Sequence, residues 1–156
     1  MKFLEEVYER NKVLDQLFID KYEKIDKEMY KKNKLELLVE IGELANESKC
    51  FKYWSKKEVN RELMLLEFAD CIIMTLCLFN YNNLELLDKE YKVLDDPSDQ
   101  IAYLYKLCSE FYFTDNTELL HEILFNLVNL GKLLNITKEE IVKASIKKID
   151  LDIEDM

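Results

Sequence analysis

Apolar positions along the chain recur mostly at intervals of three and four, the spacing that lines one face of an α-helix. Over residues 3–22 the recurrence runs through Leu4, Val7, Leu14, Leu17 and Phe18 and predicts a first amphipathic helix. Residues 23–34 are strongly charged and either continue that helix or connect it to the next. Leu35, Leu38, Ile41, Leu44 and Ala45 mark the apolar face of a second helix, with Glu36, Glu40, Glu43 and Glu47 on its other side. Residues 50–60 break the period, because Phe51, Tyr53 and Trp54 stand there among lysines. A third helix is predicted over residues 61–79, almost wholly apolar after Asp70. Residues 80–83 read as a turn and residues 84–94 as a short helix. Asp96-Pro97 then offers an acidic cap and a proline at the first helical position, opening a helix over residues 98–112. Residues 114–117 start another, which covers residues 119–134. Thr137-Lys138-Glu139-Glu140 is a capping box, where hydroxyl and carboxylate satisfy each other's free amides and start the last helix. The pattern predicts one domain over residues 1–156, an all-α bundle of five to six helices.

Composition agrees with that class. Only two glycines and one proline occur in 156 residues, too few for the turns of a β architecture. The length suffices for one sizeable hydrophobic core. A formal net charge of −10 repels phosphate backbones, so nucleic acid is not an expected partner. No apolar run is long enough for a bilayer and no leader segment opens the chain, so a cytoplasmic protein without a membrane partner is expected. Cys50, Cys71, Cys77 and Cys108 lack C-x-x-C or zinc spacing and read as core thiols. The sole histidine, His121, has no evident partner and reads as structural or surface, which disfavours a serine or cysteine hydrolase triad.

The chemistry concentrates in two carboxylate pairs, Glu40-Ile41-Gly42-Glu43 and Glu67-Phe68-Ala69-Asp70. Each pair is spaced i, i+3 on a predicted helix and so projects to one side. If the helices pack side by side, four acids converge, at an electrostatic cost that a divalent cation with oxygen ligands removes. The plain alternative is two solvated acidic faces. Three details weigh against it. No lysine interleaves the acidic stripe between Lys34 and Lys49, Gly42 sits inside a helix where it costs about 1 kcal/mol relative to alanine, and Glu67 and Asp70 lie in an otherwise apolar helix with no basic residue after Arg61. The glycine suits close approach by another helix or a ligand. Between the pairs, Cys50-Phe51-Lys52-Tyr53-Trp54-Ser55-Lys56-Lys57 is either a surface loop or a flap with a ring for a base and lysines for phosphates.

Taken together, E-x-x-E, Glu43-Leu44-Ala45-Asn46-Glu47, Cys50-Phe51-Lys52-Tyr53-Trp54 and E-x-x-D resemble the all-α nucleoside triphosphate pyrophosphatase superfamily, which is MazG-like. The match is nearest its dimeric dUTPase branch, in the form found in Gram-positive bacteria and their phages, and covers residues 3–80 best. The resemblance implies a tightly packed homodimer that hydrolyses a nucleoside triphosphate, dUTP foremost, to its monophosphate and pyrophosphate with Mg²⁺. It implies Glu40, Glu43, Glu67 and Asp70 as metal ligands, with Glu43 or Glu40 also orienting or deprotonating the water. It further implies Asn11 and Asp15 against the base or sugar, Trp54 in the nucleoside pocket, and Lys52 and Lys56 near the phosphates. The very apolar third helix agrees with a dimer, since a small bundle would not cover it alone.

Two features depart from that branch. Ile73 stands where a histidine is usual, three residues past the aspartate. In the final helix, where the branch reads K-N-x-x-N-x-x-R-Q before an aromatic tail, Lys148 persists but the asparagines, the arginine and the tail are missing. The metal centre is therefore better specified than the substrate. The other readings are a related pyrophosphatase acting on dCTP or a non-canonical nucleotide, and a helical interaction protein that has lost catalysis.

Overall fold

The computed structural model describes residues 1–22 and 27–156. After a 3-10 turn at Lys2–Leu4, α1 spans Glu5–Tyr22, α2 Lys27–Ser48, α3 Arg61–Tyr81, α4 Pro97–Thr114, α5 Glu118–Leu133 and α6 Lys138–Glu154. No strand occurs among the described residues, as the scarcity of turn formers predicts. Of the charged stretch 23–34, residues 23–26 lie outside the described residues, and the remainder opens α2.

The helix starts read from local chemistry are formed. Asp96 accepts from the Asp99 amide at 3.0 Å with Pro97 first in α4, and the Thr137–Glu140 capping box closes with two bonds of 3.1 Å. Asn60 caps α3 by accepting from the Leu63 amide at 3.2 Å. Side-chain caps of this kind contribute about 0.5–2 kcal/mol each, independently of distant packing. Tertiary packing decides the rest. The most apolar helix, α3, takes the centre and packs on α1, α2, α5 and α6, while α4 pairs with α5 and α2. Its Phe68, Ile72, Leu76 and Phe79 join Leu4, Ile41, Leu104 and Leu120 in one continuous core. Gly131 lets α5 approach closely: a Cβ there would lie 3.1 Å from the Phe68 ring and 3.4 Å from Ile141.

Three expectations need correction. Residues 84–94 form no helix but an irregular strap across the bundle. Its backbone finds other partners: the Leu84 carbonyl accepts from the Tyr8 hydroxyl at 2.7 Å, the Leu94 carbonyl from Asn129 Nδ2 at 2.8 Å, and the Leu94 amide donates to Gln100 Oε1 at 3.2 Å. With its polar ends met and Leu84 and Leu86 against the core, the strap gives up its own helical bonds, and propensity loses to packing. Second, α2 keeps Leu38, Ile41, Leu44 and Ala45 on the core side as its period predicts, but its first turns differ from the reading at Leu35. It buries Lys34, Leu37, Ile41 and Leu44 and leaves Leu35 and Val39 about half exposed. Third, the chain's own helices cover α3, with Phe68, Ile72, Leu76, Leu78 and Phe79 at 0–1% exposure, so an uncovered apolar α3 is no argument for a dimer. All four cysteines are free thiols, of which Cys71 and Cys108 are buried. His121 packs edge-on against Phe79 with ring centres 5.0 Å apart, a structural role.

Candidate metal centre and adjoining cavity

The two carboxylate pairs meet where α2 and α3 pack side by side. Glu67 and Asp70, one turn apart on α3, face Glu40 on α2, and one oxygen from each of the three lies within 4.8 Å of the others. All three residues are half-buried. Glu43, one turn further along α2, is exposed but close enough to Glu40 and Glu67 for a carboxyl proton to be shared. Gly42 accommodates a neighbouring helix on the flank of this stretch, since a Cβ there would stand 2.8 Å from the Tyr105 hydroxyl of α4.

The cluster is expensive as built. Glu40 is pushed up to about 8, first by burial and then by the charges of Asp70 and Glu43. Burial, proton sharing with Glu43 and its charge raise Glu67 to about 7. Asp70 reaches about 6, where burial outweighs the opposing Lys148 ammonium. Lys148 of α6 supplies a basic partner that the local sequence of α3 lacks: its Nζ lies 3.6 Å from Asp70 and 2.9 Å from Asp152. Arg61 is turned elsewhere, toward Glu140 at 2.7 Å. Glu40 and Glu67 have no such relief. Their Oε2 atoms are buried without a hydrogen-bond partner, although buried acceptors are normally satisfied. A carboxylate set with orphaned oxygens converging on one point fits a hard divalent cation.

From this cluster a cavity of about 820 Å³ extends between α1, α2, α3 and the end of α6. Glu36, Glu40, Asp70, Lys148 and Asp152 line its acidic end, whereas Asp15, Asn33, Cys77, Asn80 and Tyr81 line the other. Ile73 and Met74 make an apolar wall between, at the place where a histidine was expected from the resemblance.

The anticipated site residues are thus distributed unevenly. Glu40, Glu67 and Asp70 are brought together, with Glu43 at the edge. Asp15 reaches the cavity and accepts from Asn80 Nδ2 at 2.9 Å. Asn11 does not line it: wholly buried between α1 and α3, it donates to the Ile73 carbonyl at 3.1 Å and keeps an unpartnered Oδ1. Lys52, Trp54 and Lys56 also lie off the cavity, on the loop after α2, where Phe51, Tyr53 and Trp54 form an exposed edge-to-face cluster. Sequence reasoning passed over Asn33, Cys77, Asn80 and Asp152. The signal was present in helical phase, because Asn33 lies seven residues before Glu40, and Cys77 seven after Asp70, on the same helix faces.

A protein-family model described as dUTPase matches residues 3–154, nearly the whole chain. No individual curated protein matches it.

Proposed function

The chain belongs to the dUTPase family and is a nucleotide diphosphatase hydrolysing dUTP to dUMP and pyrophosphate, and on that premise we propose how its residues do so. Mg²⁺ is the proposed metal, held by Glu40, Glu67 and Asp70 with Glu43 as a fourth carboxylate. The observation that carries this reading is the pair of buried, donorless oxygens on Glu40 and Glu67. When bound, the ion supplies positive charge against the phosphate oxygens. Glu43, the most exposed of the four, takes the proton of the attacking water or orients it, with Glu40 next to it as the alternative group. Water adds to phosphorus, the bridging oxygen leaves with pyrophosphate, and the water's proton ends on the carboxylate. Lys148 compensates Asp70 charge on the α6 side and faces the phosphate end of the cavity.

Asp15 contacts the nucleoside directly in this proposal, while Asn11 braces α1 against α3 behind it. Trp54, Lys52 and Lys56 meet the nucleotide only once their loop folds over the acidic end. The enzyme is further proposed to act as a cytoplasmic homodimer that does not engage nucleic acid. Among the described residues no helix is long and apolar enough to cross a membrane. The half-exposed Leu35 and Val39 offer α2 an apolar outer surface for a second copy.

The test is pyrophosphate release from dUTP with Mg²⁺ and with chelator, alongside the thermal shift that Mg²⁺ produces. Turnover should require the metal, and Glu43→Ala should lose about 10²–10⁴-fold in rate, the range for a positioned proton acceptor. Turnover indifferent to chelator would remove the metal reading, and turnover unchanged in Glu43→Ala would pass the proton-accepting role to Glu40.

A further inference from the structure

We propose that Asn33 reads the amide edge of the pyrimidine base, its own amide oriented by a hydrogen-bonded relay through Cys77 to Asp15 and Asn80. The inference rests on the dUTPase reading and deepens it at the end of the cavity farthest from the metal. Helical rise sets the scale: about 10 Å separates Glu40 from Asn33 along α2, and about 15 Å separates Asp70 from Asn80 along α3. That span is comparable with the reach of a nucleotide from its first phosphate to the far edge of its base. Ile73 and Met74 line the stretch between, an apolar wall suited to a deoxyribose. At the far end Tyr81 stacks on Tyr30 with ring centres 4.0 Å apart and stays 40% exposed, leaving ring surface free to meet a base.

The polarity of the relay follows from which atoms can donate. Asp15, as a carboxylate, only accepts, taking one bond from Asn80 Nδ2 at 2.9 Å, with the Cys77 thiol beside it as a second source of a proton. With its S–H turned toward that carboxylate, Cys77 Sγ is left as an acceptor. Asn33 must then present its Nδ2 to that sulfur, as it does at 3.8 Å. A flipped amide would set its carbonyl oxygen against a sulfur with no proton to give. Asn33 thus keeps one N–H and its Oδ1 in a fixed order. Uracil offers an N3–H donor beside a carbonyl acceptor and pairs with that edge in one register. Cytosine presents the reverse order, an amino donor beside a bare ring nitrogen. A site committed to one order leaves a polar group unpaired with the wrong base, which is how hydrogen-bonded pockets discriminate.

The decisive experiment is calorimetric binding of dUMP and dCMP to the full chain in chelator, paired with steady-state hydrolysis of dUTP and dCTP in Mg²⁺. Asn33→Leu should weaken dUMP by at least about tenfold, with the kinetic loss falling on KM rather than kcat. The near-isosteric Asn33→Asp, which replaces the N–H by an acceptor, should move the preference toward dCMP. Cys77→Val should narrow the dUMP:dCMP ratio by about tenfold, whereas Cys77→Ser, whose hydroxyl can donate to Asp15 and accept from Asn33, should restore it. Thermal midpoints establish that each variant is folded, and should Asn33→Leu fail to fold, the Asn33→Asp and Cys77 pairs decide. An unchanged ratio in the Asn33 variants, or identical behaviour of Cys77→Ser and Cys77→Val, overturns the relay. The two readings fail separately. A wild type that binds dUMP with an Asn33-dependent preference but hydrolyses nothing sinks the catalytic reading alone. A wild type that hydrolyses dUTP with a ratio indifferent to Asn33 sinks the relay alone.

Discussion

Lys34 and Glu40 lie less than two turns apart on α2, about 9 Å along the axis, and both carry charge into the protein. Their surroundings are opposite. Lys34, only 6% exposed, donates to Asp115 at 2.6 Å and to the Tyr112 carbonyl at 2.8 Å, with the Tyr30 and Tyr112 rings about it. A cation at the C-terminus of α4 also suits that helix's dipole. Glu40 has only other acids for charged company and one buried oxygen with no donor at all. The satisfied charge is a structural staple, and the unsatisfied one is where the proposed cation would be held. What distinguishes function from stability on this helix is completeness of partners rather than burial or charge.

Substitution at each position should separate the two roles. The largest effect is expected at the acids. Glu40→Gln or Glu67→Gln should lower dUTP turnover roughly a thousandfold, equivalent to about 4 kcal/mol of transition-state stabilisation. The same variants should melt above the wild type in chelator, since a like charge has been removed. A variant that lost activity and stability together would break the comparison. Lys34→Met should act in the opposite sense, costing about 2–3 kcal/mol because two hydrogen bonds to a charged donor vanish while much of the packing remains. For a chain of this size that is a fall of about 5–10 °C in midpoint, with the Mg²⁺-induced shift retained.

The pH dependence sharpens the contrast further. Glu40, Glu67 and Asp70 bind their protons more tightly folded, at about 8, 7 and 6, than at their ordinary 4.5, 4.5 and 3.8. The unfolded chain therefore holds fewer protons through that window, and stability falls as pH rises. In chelator the melting midpoint should drop steadily from about pH 4.5 to pH 8. Excess Mg²⁺ should flatten the profile, and Glu40→Gln should remove its most alkaline part. A midpoint that rises over this range in chelator would refute the electrostatic account.

The smallest effect concerns Gly42. Alanine there should gain about 1 kcal/mol of helix propensity, but in the wild type its Cβ, 2.8 Å from the Tyr105 hydroxyl, offsets the gain. In a Tyr105→Phe background the hydroxyl is gone and Gly42→Ala should raise the melting midpoint. Equal effects in both backgrounds would show that close approach is not what keeps a glycine at this position.

Much of this was legible in the sequence. The caps at Asp96 and Thr137 and the i, i+3 carboxylate pairs are local relations, settled by groups within one turn, and the chain states them directly. The all-α class, the dUTPase resemblance and the candidate acids needed nothing more. Which way a helix faces is a different kind of fact. Leu35 belongs to the apolar stripe by periodicity, but Lys34 is the residue drawn inside, because α4 presents a carbonyl, an aspartate and aromatic rings that pair its charge. Residues 84–94 have helical composition, yet Tyr8, Gln100 and Asn129 tie down the backbone at its two ends, Leu84 and Leu94, from three other helices. Asn11 and Asp15 share a helix face one turn apart, and only packing against α3 buries the first and opens the second to the cavity. Asn33 and Cys77 are far apart in the chain and acquire meaning only when α2 lies beside α3. Local hydrogen bonding and helical phase determined the elements and the acids. The tertiary structure alone decided which charges are answered, because partners distant in sequence contribute nothing until the helices pack.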